Sequence, residues 1–217
     1  PQYLMNSNAM LLTHDSAHNH FLPKFIKRFV DVTVSGVVLL LLSPVMLVMG
    51  AIIKLDGGDA LFGHKRLGRD GKVFPCLKFR SMVMGGDAIL KKHLEENPQA
   101  AEEWKATQKL QNDPRVTRLG KFLRKTSLDE LPQLINVLKG DMSLVGPRPI
   151  VAGEVSKYDR DIAHYYRVSP GITGLWQVSG RNDVSYASRV AMDVAYATTP
   201  SNWNDVKILL RTPMAVL

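Results

Sequence analysis

The sequence predicts a mixed α/β fold, in which a small membrane-associated domain carries a re-entrant membrane helix hairpin at its amino end. Residues 32–53 form an apolar stretch of about 22 residues without a charge. After it, short β-branched and aromatic runs alternate with longer runs that have helical spacing. The only cysteine is Cys76, so neither an internal disulfide nor a thiolate zinc site is expected. A chain of 217 residues is long enough for one domain with a core of its own.

The apolar stretch is long enough to cross a bilayer. It is longer than the apolar region of a signal peptide, and Lys54 follows it where a cleavage site would need small residues. Ser43 and Pro44 lie near its middle. Proline removes a backbone donor, so we expect a kink there, and the Ser43 hydroxyl can bond the carbonyl that the proline frees.

A broken apolar helix has two membrane geometries, a kinked helix that crosses and a hairpin that returns to the same face. Basic residues precede the stretch, and the basic remainder of the chain follows it. Both flanks therefore resemble cytoplasmic flanks, which favours the re-entrant hairpin. The third alternative is the buried core helix of a domain that does not enter the membrane.

The charge balance indicates an anionic partner. The 217 residues have a formal net charge of +8 and a sequence pI near 9.6. Nucleic acid, acidic phospholipid and a polyanionic substrate all fit this charge, and charge alone does not choose among them.

The rest of the chain predicts alternating strands and helices within one domain. Residues 1–23 are expected to be the tail of a preceding region, 24–55 the membrane helix and 56–217 the folded domain. The pattern predicts strands at 60–62 and 73–79, helices at 86–110, from 112 to about 123, at 131–138, 154–167, 186–196 and 203–210, and an extended stretch at 172–179.

Two adjacent acids, Asp129 and Glu130, have a structural and a chemical interpretation. Ser127 and Glu130 match a capping box, which would make both acids part of an ordinary helix start. Pro132 argues against that cap, because it would fall inside the helix; a start at Pro132 leaves the acids on the entry to the helix. A positive helix end would favour their ionisation, and an ionised carboxylate can attack phosphorus or bind Mg²⁺.

Several basic side chains are candidates for phosphate binding. Arg148 stands between two prolines, which fixes the backbone that carries its guanidinium. Lys78 and Arg80 alternate with apolar residues and so share one side of a strand. For each of them, a solvated surface position is the structural alternative. Trp176 has three interpretations: a substrate-stacking ring, an interfacial anchor or part of the core.

Taken together, these motifs resemble the bacterial sugar transferases, the monotopic polyprenyl-phosphate phosphoglycosyl transferase family. The resemblance runs from about residue 24 to the end of the chain. Its blocks in order are KRFVD at 27–31, SP at 43–44, KFRSM at 78–82, TSLDELPQL at 126–134, GDMSLVGPRP at 140–149, PGITG at 170–174 and QVSGRN at 177–182.

The resemblance implies transfer of a hexose 1-phosphate from a UDP-sugar to undecaprenyl phosphate with release of UMP, the first membrane step of a polysaccharide pathway. Galactose is the hexose that the resemblance favours first, and glucose is the second. Asp129 would be the nucleophile that carries a covalent phosphosugar, and Glu130 would bind Mg²⁺. The residues that would bind phosphate or nucleotide are Lys78, Arg80, Arg148, Arg181 and Asp193.

The resemblance also implies a location and partners. Ser43 and Pro44 would make the helix re-entrant at the bacterial inner membrane, with the catalytic domain on the cytoplasmic face and in contact with membrane lipid. No nucleic-acid partner is implied, and a homodimer fits the longer members of the family.

Two rival classes of function make different predictions. A membrane-tethered nucleic-acid-binding protein would show steeply salt-dependent affinity for DNA or RNA. A non-catalytic scaffold for polysaccharide assembly would use the acidic pair only as a helix cap.

Overall fold

A single long helix, α1, runs over Lys24–Lys54 in the computed structural model, which describes residues 24–107, 110–180, 184–199 and 201–216. Pro44 lies inside the helix and leaves the carbonyl of Leu40 without its usual amide donor. The Ser43 hydroxyl donates to that carbonyl at 2.8 Å. The predicted back-bond at the Ser-Pro pair is therefore confirmed, and the predicted tail at 1–23 lies outside the described residues.

The middle of α1 is not covered by the rest of the described chain. Leu40 and Leu47 are each 75% exposed, and α1 is long and apolar enough to cross a membrane. Exposure of so many large apolar side chains is unfavourable in water. The middle of the helix is therefore not buried in a core of the described chain.

The remaining described elements confirm the mixed α/β class. They are β1 (Leu61–Leu67), β2 (Val73–Phe79), α2 (Gly86–Glu96), α3 (Pro98–Thr107), α4 (Arg118–Lys125), α5 (Gln133–Lys139), β3 (Ser143–Val145), α6 (Ile162–Tyr166), β4 (Gly171–Thr173), α7 (Leu175–Val178), α8 (Tyr186–Thr198) and α9 (Asn202–Val216). Strands β1 and β2 pair with each other, and β3 pairs in parallel with β4.

Some predicted elements are divided or replaced. The helix expected at 86–110 is two helices, because Asn97 before Pro98 takes an extended conformation. The helix expected at 154–167 is two 3₁₀ turns followed by α6. The extended stretch expected at 172–179 was wrong beyond β4, because Gly174 is followed by the short helix α7. Gly140 ends α5 with φ +90°, as its predicted C′ position requires.

The described residues form two compact units. The large unit comprises Pro1–Ser43, Gly63–Leu77 and Pro132–Leu217 as far as these are described, and the small unit comprises Pro44–Phe62 and Lys78–Leu131. The boundary within α1 falls at the Ser-Pro pair. Each unit has its own hydrophobic core: Leu67, Ile150, Tyr158, Tyr165 and Val190 in the large unit, and Met49, Ile53, Phe79 and Leu123 in the small unit.

The amino end of α1 is fixed within the large unit by polar contacts. Lys27 forms an ion pair with Asp205 at 2.6 Å. Asp31 is buried and accepts hydrogen bonds from the Ser143 hydroxyl at 3.1 Å and the Leu144 amide at 3.0 Å. A cavity of about 580 Å³ lies beside these residues. The charged residues before the apolar stretch therefore hold the helix to the domain.

Candidate active site

A strained turn places the acidic pair just before α5. Ser127 has φ +56° and its side chain makes no capping hydrogen bond, so the capping box does not form. Residues Leu128–Glu130 form one 3₁₀ turn, and Pro132, with φ −60°, immediately precedes α5. The alternative in which the acids lie on the entry to the helix is therefore confirmed.

Asp129 is the buried member of the pair. It is 8% exposed, and this burial raises the pKa of its carboxyl, although the charges of Lys78 and Arg124 oppose the rise. The expectation that its surroundings favour ionisation was wrong, because the pKa is raised and not lowered. The loss of hydration on burial has a larger effect on the pKa than the nearby positive charges have. Asp129 is consequently a more basic carboxylate than an exposed aspartate.

Glu130 is held by a lysine from the neighbouring strand. The ammonium group of Lys78, near the end of β2, lies 2.6 Å from Glu130 Oε1. Both side chains are partly exposed. The structure therefore brings together three of the predicted site residues, Asp129, Glu130 and Lys78.

Arg80 follows Phe79, the last residue of β2, and has different partners from Lys78. Its Nε donates to the Asp59 carbonyl at 2.7 Å, Nη1 donates to Asp56 Oδ2 at 2.8 Å and to the Met82 carbonyl at 3.3 Å, and Nη2 donates to the Ile53 carbonyl at 2.9 Å and to Asp56 Oδ1. This hydrogen bonding lowers the pKa of Asp56 to about 2. All five donors of the guanidinium are thus engaged. That Arg80 binds phosphate stays a prediction, and such binding would have to release one of these bonds.

A further polar contact near the pair was not predicted from the sequence. Arg124 Nε donates to the hydroxyl of buried Ser81 at 2.8 Å. Gly120 makes this approach feasible, because a Cβ there would lie 2.0 Å from the Ser81 carbonyl oxygen. Gly120 lies 9 residues and Ser81 lies 48 residues before Asp129 in the sequence, so no local pattern indicates the contact.

The large unit contains a second group of charged residues, the arginine cluster of Arg66, Arg148 and Arg189 around Glu154. Arg66 Nη1 lies 3.7 Å from Glu154 Oε2, and Arg189 Nη1 lies 3.6 Å from Glu154 Oε1. Burial, and after it the positive charge of Arg148, lowers the pKa of Arg66. Arg66 also donates to the Pro149 carbonyl at 3.2 Å, next to Arg148. Of these three arginines, only Arg148 was predicted from the sequence as a site residue.

Asp193 lies beneath this cluster rather than on the surface. It is 2% exposed, and the Tyr158 hydroxyl donates to its Oδ2 at 2.6 Å. Burial raises the pKa of Asp193 to about 7, against the effects of Tyr158 and Arg189. Tyr186, Arg189 and Asp193 follow one another at helical spacing in α8, and this pattern could have indicated the cluster. Arg181, predicted as a ligand residue, lies outside the described residues.

The acidic pair provides oxygen ligands of the type that Mg²⁺ prefers, and the binding of this ion stays a prediction. Within the described ranges, no group of three or more His, Cys, Asp or Glu side chains could hold a metal ion. Magnesium, however, is commonly bound by one or two carboxylates together with substrate phosphates. Asp129 and Glu130 supply two adjacent carboxylates, so their chemistry is compatible with such a site.

Comparison with known proteins gives consistent matches. The sequence model of a family described as bacterial sugar transferase matches residues 22–217. The chain is 50% identical over 215 residues to an undecaprenyl-phosphate galactose phosphotransferase of Salmonella typhimurium, covering 99% of this chain and 45% of that protein. It is 53% identical over 191 residues to the exopolysaccharide production protein ExoY of Rhizobium meliloti, covering 88% of this chain and 84% of that protein.

A third relative is named for the transfer of a different sugar phosphate. The chain is 41% identical over 199 residues to the UDP-glucose:undecaprenyl-phosphate glucose-1-phosphate transferase of Escherichia coli, covering 87% of this chain and 39% of that protein. The chain thus spans about half the length of several relatives that it matches, including the Salmonella protein.

Proposed function

The chain belongs to the bacterial sugar transferase family, and from this premise we propose that it transfers a hexose 1-phosphate from a UDP-sugar to undecaprenyl phosphate and releases UMP. The observation that carries the proposal is the buried Asp129 carboxyl beside the Glu130–Lys78 ion pair. A carboxylate with adjacent cations suits attack on a phosphorus atom, since phosphoryl transfer depends mainly on positioning and on charge neutralisation.

The proposed reaction has two displacements at one phosphorus atom. In the first, an oxygen of Asp129 bonds to the sugar-linked phosphorus while the bond from that phosphorus to the bridging oxygen breaks, and the bridging oxygen leaves with UMP. In the second, a phosphate oxygen of undecaprenyl phosphate attacks the same phosphorus and breaks its bond to Asp129. The carboxylate is restored, and the lipid carries a diphosphate-linked hexose.

The surroundings of Asp129 support its role in both steps. Burial removes water from the carboxylate and raises its basicity, while Lys78 and Arg124 oppose the protonation that burial favours. Glu130, fixed by Lys78, is the residue that would hold Mg²⁺, together with phosphate oxygens of the donor. When bound, the ion would neutralise charge that develops on the diphosphate.

Galactose is the sugar that we propose first. A relative that is 50% identical is named for galactose phosphate transfer, and one that is 41% identical is named for glucose phosphate transfer. The two hexoses differ in the orientation of one hydroxyl group, and higher identity to the galactose enzyme favours galactose. The product would enter a polysaccharide pathway such as O-antigen, capsule or exopolysaccharide synthesis. That the enzyme is a homodimer stays a prediction.

We further propose that α1 is re-entrant in the inner membrane and that the catalytic domain lies on the cytoplasmic face. Basic residues precede the apolar stretch and a basic chain follows it, which favours cytoplasmic flanks on both sides. A straight crossing helix would separate its ends by about 30 Å of hydrocarbon. Pro44 lies inside α1, and a bend at this proline would return both flanks to one face of the membrane.

The nucleotide product tests the reaction directly. Detergent-solubilised protein with UDP-galactose, undecaprenyl phosphate and Mg²⁺ should release UMP; release of UDP would instead indicate transfer of the sugar alone. Incubation with the donor alone should add a hexose phosphate to Asp129, detected by peptide mass spectrometry.

Substitution of the nucleophile provides the matched comparison. Asp129→Asn should lower turnover roughly a thousandfold or more, because the amide is a poor nucleophile. Asp70→Asn makes the same chemical change at an exposed turn and should leave turnover close to that of the unmodified protein. Equal turnover in both variants would refute the assignment of Asp129.

A further inference from the structure

Arg189 is a buried cation with unsatisfied donors. Its side chain is 12% exposed and lies over two aromatic rings, with Cζ 5.2 Å from the ring centre of Trp176 and 5.1 Å from that of Tyr186. Its Nε and Nη2 groups are buried and have no hydrogen-bond partner among the described residues. Asp193 Oδ2 lies 4.0 Å from Nε, which is beyond hydrogen-bonding distance. Buried charged donors normally have partners, so this arrangement indicates a missing acceptor.

The neighbouring charges leave positive charge in excess. Arg66, Arg148 and Arg189 form the arginine cluster, and Glu154 is the acid that contacts both Arg66 and Arg189. Among the described residues, the other nearby acid is Asp193, whose pKa is raised to about 7 by burial, so that it is only partly ionised near neutral pH. Within the described part of the chain, three guanidinium groups thus face less than two full negative charges. An anion would balance the cluster.

The indole of Trp176 supplies a further donor at the same place. Its Nε1 is buried without a hydrogen-bond partner among the described residues. The same ring has Arg148 Cζ at 5.9 Å and Arg189 Cζ at 5.2 Å from its centre. The unsatisfied N–H groups of Arg189 and Trp176 need acceptors, and phosphate oxygens accept several hydrogen bonds at once.

We propose that Arg189 and the indole N–H of Trp176 form, together with Arg148, a phosphate-binding site. Arg189 is held in place by its two aromatic neighbours and Glu154, and its free N–H edge binds the phosphate oxygens. This inference rests on the proposed function for its ligands, because two phosphates enter that reaction. One is the diphosphate of the UDP-sugar, and the other is the phosphate of the polyprenyl lipid.

Direct binding measurements separate these two sources and do not depend on turnover. The protein in detergent is titrated with UDP, with inorganic pyrophosphate and with a short-chain polyprenyl phosphate. Arg189→Lys keeps the charge but loses the planar donor edge, and Trp176→Phe keeps an aromatic ring but removes the N–H group. The matched control is Lys157→Gln, which removes a positive charge from an exposed residue over the Tyr186 ring.

Arg189→Lys should weaken binding of at least one phosphate ligand roughly tenfold or more, as expected for lost hydrogen bonds to a charged group. Trp176→Phe should weaken the same ligand by a smaller factor, and Lys157→Gln should have little effect. Weaker binding of UDP and pyrophosphate assigns the site to the donor, and weaker binding of the prenyl phosphate assigns it to the lipid. Unchanged binding of all three ligands in Trp176→Phe and in a folded Arg189→Lys would overturn the proposal.

A further variant, Asp129→Asn, distinguishes failure of the phosphate-binding site from failure of the proposed function. Asp129→Asn removes the nucleophile and leaves the arginine cluster intact, so it should keep ligand binding while losing the covalent adduct. If Arg189→Lys does not fold, as judged by its thermal unfolding, Trp176→Phe alone decides the question. Loss of binding in Trp176→Phe supports the site even if the nucleotide product turns out to be UDP.

Discussion

The buried carboxyl of Asp193 should make the stability of the protein depend on pH. Asp193→Asn is the informative change, because an amide has nearly the same shape and its oxygen can still accept the hydrogen bond from Tyr158. The amide does not titrate. Comparison of the two proteins therefore isolates the contribution of one ionisable group at position 193.

The direction and size of the effect follow from the pKa. The pKa of Asp193 is raised from 3.8 to about 7 on folding, so between these values the folded protein binds a proton that the unfolded chain has lost. Stability from this group is therefore greatest at low pH, falls as the pH rises towards 7, and is constant above that. Between pH 5 and pH 8 the loss is about 3 kcal/mol.

Urea unfolding in detergent, followed by tryptophan fluorescence, measures this difference. The free energy of unfolding is determined at pH 5 and pH 8 for the unmodified protein and for Asp193→Asn. Other groups titrate equally in both proteins, so their effects cancel in the comparison. The variant should gain about 3 kcal/mol relative to the unmodified protein between pH 5 and pH 8. If this relative stability is the same at both pH values, the raised pKa of Asp193 is refuted.

Two further predictions concern α1. Ser43→Ala should lower the free energy of unfolding in detergent by about 1 kcal/mol, because the Leu40 carbonyl loses its donor; in a Pro44→Ala background the loss should disappear, because the amide of residue 44 then bonds that carbonyl. Equal losses in both backgrounds would contradict this account. Cysteines placed at Phe25 and Leu55, both exposed, should react with a membrane-impermeant maleimide only from the cytoplasmic side, whereas a crossing helix would expose one of them outside.

Features that depend on residues close together in the sequence could be predicted from the sequence. The apolar stretch, the hydroxyl bond at Ser43 and the left-handed Gly140 all follow from local chemistry, and each is present. The acidic pair was also found, because Pro132 limits where the following helix can begin. Helix boundaries were less accurate where a single residue such as Asn97 before a proline divided one expected helix in two.

Features set by distant residues could not be predicted. The pKa of Asp129 depends on burial by residues that are far away in sequence, and so its direction was expected with the wrong sign. The arginine cluster joins Arg66, Arg148 and Arg189, which are separated by 82 and 41 positions and meet through Glu154 and Trp176. Helical spacing in α8 places Tyr186, Arg189 and Asp193 on one face, but it does not indicate which distant residues meet them there.

The partners of Arg80 show how the apolar helix α1 and the acidic pair are connected. Arg80 binds the carbonyl of Ile53 in the last turn of α1 and the carboxylate of Asp56 just beyond it. Lys78 lies two residues before Arg80, and its ammonium group forms an ion pair with Glu130. The carboxyl end of α1 and the acidic pair are therefore attached to the same segment, β2 and the residue that follows it. A displacement of the end of α1 would move Arg80 and, with it, Lys78, which fixes Glu130, so the position of this helix end affects the geometry at Asp129.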